Sequence, residues 1–188
     1  MKLSELAHVF SGVLKTRLKS SVKQTNNQQF ALLNYGCFDG DGILELKKCA
    51  LVQTNALVNK TALIRKNDII VKLFPPVSFM LIDAEYENLL CPSNIAIIRT
   101  MATDPVVLIY LLEKCKLKIN QMLQGVTVCL LNTRMLKEIP INTSDLNNKT
   151  IVCKARINHL INRQLRLLQM KQHYLRLKKK HNIVVKDK

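Results

Sequence analysis

The sequence predicts an α+β fold, in which a globular mixed α/β domain is followed by a long C-terminal coiled-coil helix. Short apolar segments between residues 30 and 100 are separated by turn residues, as is typical of strands. One helical pattern begins at Pro105, and a second pattern at residues 147–186 contains no Asp and no Glu. We therefore expect a globular domain at residues 1–144 and a long basic helix with its tail at residues 145–188.

The composition indicates a cytoplasmic domain with a hydrophobic core. The chain has 188 residues, of which 48% are hydrophobic, and this suffices for one packed domain. Its six cysteines form no C-x-x-C pair and mostly have apolar neighbours, so we expect buried free thiols rather than disulfides or metal ligands. No apolar run approaches the ~18 residues of a membrane span, and Glu5 and His8 interrupt the start of the chain. We expect no cofactor and no metal.

The elements of the globular part follow from local patterns. Residues 11–29 are polar and basic without a helical stripe, so a loop is expected there. Strands are expected from Phe30 to Thr100 in the segments "QQFALLNY", "GILEL", "TALI", "NDIIVKLF", "PPVSFMLID" and "NIAIIRT". A helix is expected from Pro105, capped by Thr103 or Asp104, because its apolar residues recur at helical spacing. Shorter pieces follow, with a helical turn capped by Asn132.

The C-terminal segment is predicted to be a helix about 50 Å long at a rise of 1.5 Å per residue. Two adjacent rows of apolar residues, seven residues apart, favour packing against another long helix. We expect this stripe to form a homodimer interface through Ile157, Leu160, Ile161, Leu167, Leu168, Tyr174 and Leu175. In the alternative that stays open, the stripe folds back on its own domain.

The charge of this helix requires a partner. Residues 147–188 contain twelve Lys or Arg against one Asp, within a chain whose formal net charge is +16. Without acids, the helix cannot form the internal ion pairs that usually decorate an exposed helix. The counter-anions must come from nucleic acid phosphates, an acidic protein or an anionic membrane surface.

Four segments, taken in order, resemble one protein family. "KLSELAHVFSGVLKTRLK" is similar to the opening of a target recognition domain, and "QQFALLNYGCFDGDGILEL" to its first strand and acidic turn. "LIRKNDIIVKLFPP" resembles the strand that follows a Gly-Asp pair, with Asn67 in place of the Gly. "DPVVLIYLLEKCKLKINQMLQGVTVCLLNTRMLKEIPIN" resembles the helix, turn and "L..I.IP" segment that precede a long helix. Together they resemble the specificity (S) subunits of type I restriction-modification systems.

Two features depart from the family pattern. "NTSDLNNKT" stands where the family usually has a Pro-rich, Gln-containing start of the helix. Complete S subunits contain two recognition domains and two helices, whereas one of each is recognised in this chain. The resemblance therefore implies a half-subunit, or a family member that works as a dimer.

The resemblance implies a non-catalytic subunit that binds double-stranded DNA, reads a half-site and docks a separate methyltransferase (M) subunit and possibly a restriction (R) subunit. Consistently, the sequence lacks the N/D-P-P-Y/F tetrapeptide of amino-methyltransferases and a Gly-rich turn for S-adenosylmethionine. "FDGDGILEL" fails as a calcium loop because Ile43 and Ala50 occupy ligand positions.

DNA contacts are expected from side chains that bind phosphates or base edges. The first predicted set is Lys15, Arg17, Lys19, Lys23, Gln24, Asn26, Asn27 and Gln28, and the second is Lys72, Gln124, Thr127 and Asn132. A merely solvated polar loop is the alternative for the first set. Two other functions also stay open: an RNA-binding or ribosome-associated basic protein, and a basic coiled-coil adaptor that docks on an acidic protein.

Overall fold

A computed structural model describes residues 1–18, 28–37, 44, 46–123, 130–146 and 148–186, with only the backbone described at 122, 143, 166, 170 and 173–186. The predicted α+β fold with a long C-terminal helix is confirmed. The strands are β1 (Ala7–Ser11), β2 (Gln28–Leu32), β3 (Ala50–Thr54), β4 (Ile69–Lys72), β5 (Ser78–Leu81), β6 (Leu89–Leu90) and β7 (Ile95–Thr100). The helices are α1 (Pro105–Met122), α2 (Thr133–Lys137), α3 (Thr143–Leu146) and α4 (Lys149–Lys186).

The strands form two sheets. The larger sheet has the order β1-β7-β4-β5, and all of its neighbouring strands are antiparallel. The smaller sheet has the order β3-β2-β6, with β2 antiparallel to β3 and parallel to β6. Isolated bridges from Val13 to Pro92 and from Leu63 to Leu90 join the segments between the sheets.

The larger sheet is buried on both faces. Ile69 and Val71 of β4 belong to the core cluster that contains the apolar side of α1. Ile70, between them, belongs to a second cluster that contains Leu33 and Leu89 from the smaller sheet and its flank. Successive side chains of a strand point to opposite faces, so β4 has an uninterrupted apolar run. The domain therefore has three layers: helices, the larger sheet and the smaller sheet.

A buried ion pair connects Asp68, which precedes β4, with Arg99 of β7. The Asp68 side chain is 1% exposed. Its Oδ1 accepts from Arg99 Nε at 2.7 Å, and its Oδ2 accepts from Arg99 Nη2 at 2.7 Å and from the Arg65 N–H at 2.8 Å. Arg99 Nη2 also donates to the Leu63 carbonyl at 3.1 Å, and its guanidinium lies 5.3 Å from the Phe10 ring centroid. Both charges thus have several partners, which a buried pair requires.

One strand prediction was wrong, and three strands were missed. "TALI" is not a strand, because residues Lys60–Ala62 form a 3₁₀ turn and only Leu63 makes a bridge. Most of "GILEL" lies outside the described residues, and its last residue begins a 3₁₀ turn at Leu46–Lys48, so this strand stays a prediction. β1, β3 and β6 were not predicted. β3 is an edge strand with Leu51 73% exposed, and β6 has two residues, so neither has a distinctive local pattern.

The predicted loop at residues 11–29 is also partly wrong. Its first residue ends β1, residues Lys15–Leu18 form a 3₁₀ turn, and β2 begins at Gln28. Residues 19–27 lie outside the described part of the chain. The turn forms because Leu18, which is 4% exposed, packs with Phe30 and Leu32 of β2. This long-range contact has no signature in the polar local sequence.

Gly12 is required at the end of β1, and a Cβ there would overlap the backbone carbonyl oxygens of Pro92 and Cys91. The close approach is held by hydrogen bonds from the Val13 N–H to the Cys91 carbonyl at 2.8 Å and from the Ser93 N–H to the Val13 carbonyl at 2.8 Å. We expect Gly12→Ala to lower the free energy of unfolding by about 3 kcal/mol, since backbone atoms must shift. Urea denaturation measures the loss. Gly36→Ala is the control, because its Cβ would meet only the Asn34 side chain, at 3.1 Å; equal losses would contradict the prediction.

Candidate functional site

The long helix α4 is attached to the domain by its first two turns. Asn148 caps it, with Oδ1 accepting from the Thr150 N–H at 3.0 Å. Ala155 is 2% exposed and belongs to the core cluster that contains α1. Arg156 Nη2 lies 3.1 Å from Asp104 Oδ2, while Asp104 Oδ1 accepts from the Val106 N–H at 2.9 Å and caps α1. One carboxylate therefore contacts both helices, and the packing of Ile151, Val152 and Ala155 against the core sets the direction of α4 relative to α1.

Beyond this attachment, the described large apolar side chains of α4 are exposed to solvent. Their exposed fractions range from 51% to 58% at Ile157, Leu160, Ile161, Leu165, Leu167 and Leu168. Leu165 was missed by the sequence reasoning because it falls outside the two seven-residue rows. Tyr174 and Leu175 lie in the helix, but their side chains are outside the described ones. The described part of the predicted stripe is thus not covered by its own domain, which speaks against the fold-back alternative.

A cleft of about 540 Å³ lies at one side of the domain. Segments from β1, the Lys15–Leu18 turn, the β3-to-Lys60 connection and α2 line it. Its described lining contains two cations, Arg17 and Lys137, and no Asp or Glu. Apolar side chains of Leu14, Leu57 and Val58 lie beside polar ones of Ser11, Asn59, Thr61, Ser93 and Thr133. The cleft combines positive charge, hydrogen-bonding groups and an apolar edge. Sequence reasoning found only Arg17 of this set.

Three members of the first predicted DNA-contact set lie at the smaller sheet. Lys15 and Arg17 are exposed on the 3₁₀ turn that contacts β3. Gln28 is exposed at the start of β2, where it pairs with Thr54 of β3. The remaining members lie outside the described residues: Lys19, Lys23, Gln24, Asn26 and Asn27. Both ends of the polar segment are therefore next to the same sheet.

Two members of the second predicted set, Lys72 and Asn132, lie close together at the end of β4. The Leu131 N–H donates to the Leu73 carbonyl at 3.0 Å, which places Lys72 and Asn132 on adjacent segments. The Lys72 ammonium lies 5.1 Å from the Tyr35 ring centroid, and Asn132 Oδ1 accepts from the Met135 N–H at 2.9 Å. Both side chains thus have structural partners. Gln124 and Thr127 lie outside the described residues, and DNA contact by this set stays a prediction.

The described cysteines are free thiols, as predicted. Cys37 and Cys49 lie closest together, with 3.2 Å between their sulfur atoms, and burial raises the pKa of Cys49 to about 12. A protonated thiol is a poor metal ligand. The part of the chain with described side chains contains no group of three His, Cys, Asp or Glu side chains suited to a metal. Cys153 differs from expectation because it lies on the exposed side of α4.

Among the described helices, none combines the length and the apolar character needed to cross a membrane. No family model matches the sequence. No curated protein matches it.

Solved structures, however, share the fold. The S subunit of the type I restriction-modification system from M. genitalium is 17% identical with a TM-score of 0.54, over 90% of this chain and 40% of that chain. The HsdS subunit from Thermoanaerobacter tengcongensis is 13% identical with a TM-score of 0.53, over 90% of this chain and 39% of that chain. A chain from a structural study of complex assembly and conformational transition of the type I R-M system is 14% identical with a TM-score of 0.52. The match covers 89% of this chain and 42% of that chain.

This chain therefore spans about two fifths of the length of the structures it matches. The identities are low, so the likeness concerns the fold: a mixed α/β domain with a long helix. It confirms the fold that the sequence resemblance implied.

Proposed function

We propose that this chain, which has the fold of type I restriction-modification S subunits, is a sequence-specific DNA-binding subunit that reads one half of a target site. The observation that carries the proposal is the shared fold over 90% of the chain. The globular domain, residues 1–144, reads the DNA in this proposal. The long helix, residues 145–188, positions the domain and docks a methyltransferase subunit, and possibly a restriction subunit.

The charge distribution supports this proposal. Residues 147–188 carry twelve Lys or Arg against a single Asp, so the helix has almost no intrinsic counter-charge. Phosphates of duplex DNA and acidic surfaces of a partner subunit both supply it. The chain itself contributes recognition only, and methyl transfer belongs to the partner. We place the complex in the cytoplasm, where the DNA and the methyltransferase are.

The exposed stripe of α4 supports an antiparallel homodimer. Five predicted interface side chains are each more than half exposed: Ile157, Leu160, Ile161, Leu167 and Leu168. Covering the exposed half of one such side chain contributes roughly 1 kcal/mol at ~25 cal/mol per Å². Two-fold symmetry puts one recognition domain at each end of the helix pair, and symmetric protein halves read symmetric DNA halves. The expected target is an interrupted palindrome.

Selection from a random duplex DNA library by the purified full chain tests the function. We expect an interrupted palindrome to be enriched, and duplex DNA to compete for binding better than structured RNA. Stronger competition by RNA would favour the RNA-binding alternative instead. Binding that depends only on charge, with no enriched sequence, would favour the basic adaptor.

Methylation mapping supplies an independent readout of the same proposal. In a genome that carries this chain with its methyltransferase, the modified motif should match the selected duplex. The purified chain alone, with S-adenosylmethionine and this duplex, should transfer no methyl group. Robust transfer by the pure protein would contradict the assignment of catalysis to a partner.

A further inference from the structure

We propose that the cleft beside Leu57 is the DNA-contacting groove of this domain, in which Leu57 touches base edges and Arg17 and Lys137 bind the flanking phosphates. This inference rests on the proposed function of DNA recognition and adds to it a reading element. Neither Leu57 nor Lys137 belongs to the contact sets predicted from the sequence.

Hydrogen bonds on both sides of Leu57 fix the backbone around it and leave its side chain exposed to solvent. Its side chain is fully exposed, at 104% of the reference area. On one side, the hydroxyl of the buried Thr54 accepts from the Ala56 N–H at 3.0 Å. On the other side, Asn59 Oδ1 accepts from the Thr61 N–H at 3.0 Å. The backbone is therefore held by a hydrogen bond before Leu57 and another after it. The exposure of Leu57 follows from this backbone conformation.

The apolar character of this turn continues into the cleft. A single exposed leucine is ordinary on a protein surface. Here, however, Leu14 is 46% exposed and lines the same cleft as Leu57 and Val58. A contiguous apolar edge beside polar groups marks a binding surface more strongly than scattered residues do. In DNA, the matching apolar feature is the thymine methyl group in the ~12 Å wide major groove.

The positive charge of the cleft favours an anionic partner. Arg17 comes from the 3₁₀ turn after β1 and Lys137 from the end of α2, so two separate elements place cations on one surface. The described lining has no carboxylate to neutralise them. Ser93, Thr133 and Asn59 add side chains that bind phosphate oxygens in protein–DNA interfaces. A cleft that combines cations with an apolar edge matches a DNA groove, whose base edges lie between two phosphate backbones.

Chain connectivity links the cleft to the predicted DNA-contact loop. Leu18 lines the cleft, and residues 19–27 follow it directly in the sequence. Five predicted contact residues belong to that segment: Lys19, Lys23, Gln24, Asn26 and Asn27. Duplex DNA on the cleft would thus also lie beside Leu18, the residue that precedes this segment in the chain.

The test compares full-chain variants on two duplexes, namely the duplex selected by the wild type and a shuffled duplex of equal composition. We expect Leu57→Ser to weaken binding to the selected duplex roughly 5- to 50-fold and to leave binding to the shuffled duplex unchanged, since a lost base contact acts on specific binding only. Leu117→Ser is the matched control, because Leu117 is 69% exposed on α1 and does not line the cleft. It should behave as wild type on both duplexes.

Removing the two cations should change DNA binding in a different way from removing Leu57. We expect Arg17→Gln with Lys137→Gln to weaken binding to both duplexes similarly and to reduce the slope of log affinity against log salt by about 2, because two phosphate contacts are lost. Lys116→Gln with Lys118→Gln on α1 is the charge-matched control and should leave the affinity for both duplexes and the salt slope unchanged.

The outcomes separate the two proposals. If the wild type selects no duplex sequence, the proposed function fails. If the wild type selects a sequence but Leu57→Ser matches Leu117→Ser, the function stands and this inference is overturned. Equal weakening of both duplexes by Leu57→Ser would also overturn it, because a base contact cannot act on a shuffled sequence.

Discussion

Asp68→Ala is expected to lower the free energy of unfolding by about 3 to 5 kcal/mol, the range for removing one partner of a buried ion pair. The Asp68 side chain is 1% exposed and satisfies two nitrogens of Arg99 together with the Arg65 N–H. Without it, Arg99 would keep its charge beside the core with only the Leu63 carbonyl and the Phe10 ring as neighbours. Because domains are stable by only about 5 to 15 kcal/mol, this variant should be partly unfolded under mild denaturant.

Urea denaturation followed by circular dichroism measures this loss. Glu113→Ala is the control, since its ion pair with Lys116 at 3.1 Å is surface-exposed and contributes at most about 1 kcal/mol. In the double variant Asp68→Leu with Arg99→Met, both charges are absent, and much of the stability should return. A loss with Asp68→Ala no larger than that with Glu113→Ala would show that the buried pair is not required.

Leu168→Asp is expected to convert the proposed homodimer into a monomer. Leu168 is 55% exposed at the centre of the apolar stripe, so it becomes buried only if a second helix covers it. A carboxylate covered by a second helix would lose its hydration, and the nearest cation on the same face, the exposed Lys171 three residues further on, would offset only part of that cost. Sedimentation velocity over a concentration series measures the change. The midpoint of thermal unfolding of the domain should stay the same.

Gln169→Asp provides the matched control for this experiment. It adds the same charge one residue further along α4, at a position that is exposed and off the stripe. It should dimerise as the wild type does. A wild-type chain that stays monomeric at tens of micromolar, or a Leu168→Asp chain that dimerises normally, would rule out the helix-mediated dimer.

Features with local causes could be predicted from the sequence. A cap of α1 at Thr103 or Asp104 and a cap of α2 at Asn132 were expected, because a short polar side chain before an apolar periodic segment acts within three residues, and Asp104 and Asn132 are the caps. Asn67, which stands where the resemblance has Gly, adopts a φ of 70°. Asn tolerates this left-handed conformation better than most residues, so the substitution keeps the turn.

Features that depend on distant contacts could not be predicted. Asp68 follows Asn67 in a polar turn, and only the fold brings Arg99 to it across 31 residues. Leu57 is one of several apolar residues in "NALVNK", and its full exposure follows from the pinned turn around it. Lys137 and Arg17 are 120 positions apart in the sequence, yet they line one cleft. Composition and periodicity contain no information on such pairs.

The long helix α4 is attached to the domain near its start, where Arg156 contacts the Asp104 carboxylate. About 30 residues of helix extend past Arg156, which at 1.5 Å per residue is an arm of about 45 Å. If α4 tilted by about 10° at this attachment, its far end would move by about 8 Å, which is more than two base-pair steps of ~3.4 Å each. In the proposed dimer, the accuracy with which the spacer of the target is measured would therefore depend on how rigidly the first turns of α4 pack on the domain, through Ile151, Val152 and the buried Ala155 together with the Arg156–Asp104 ion pair.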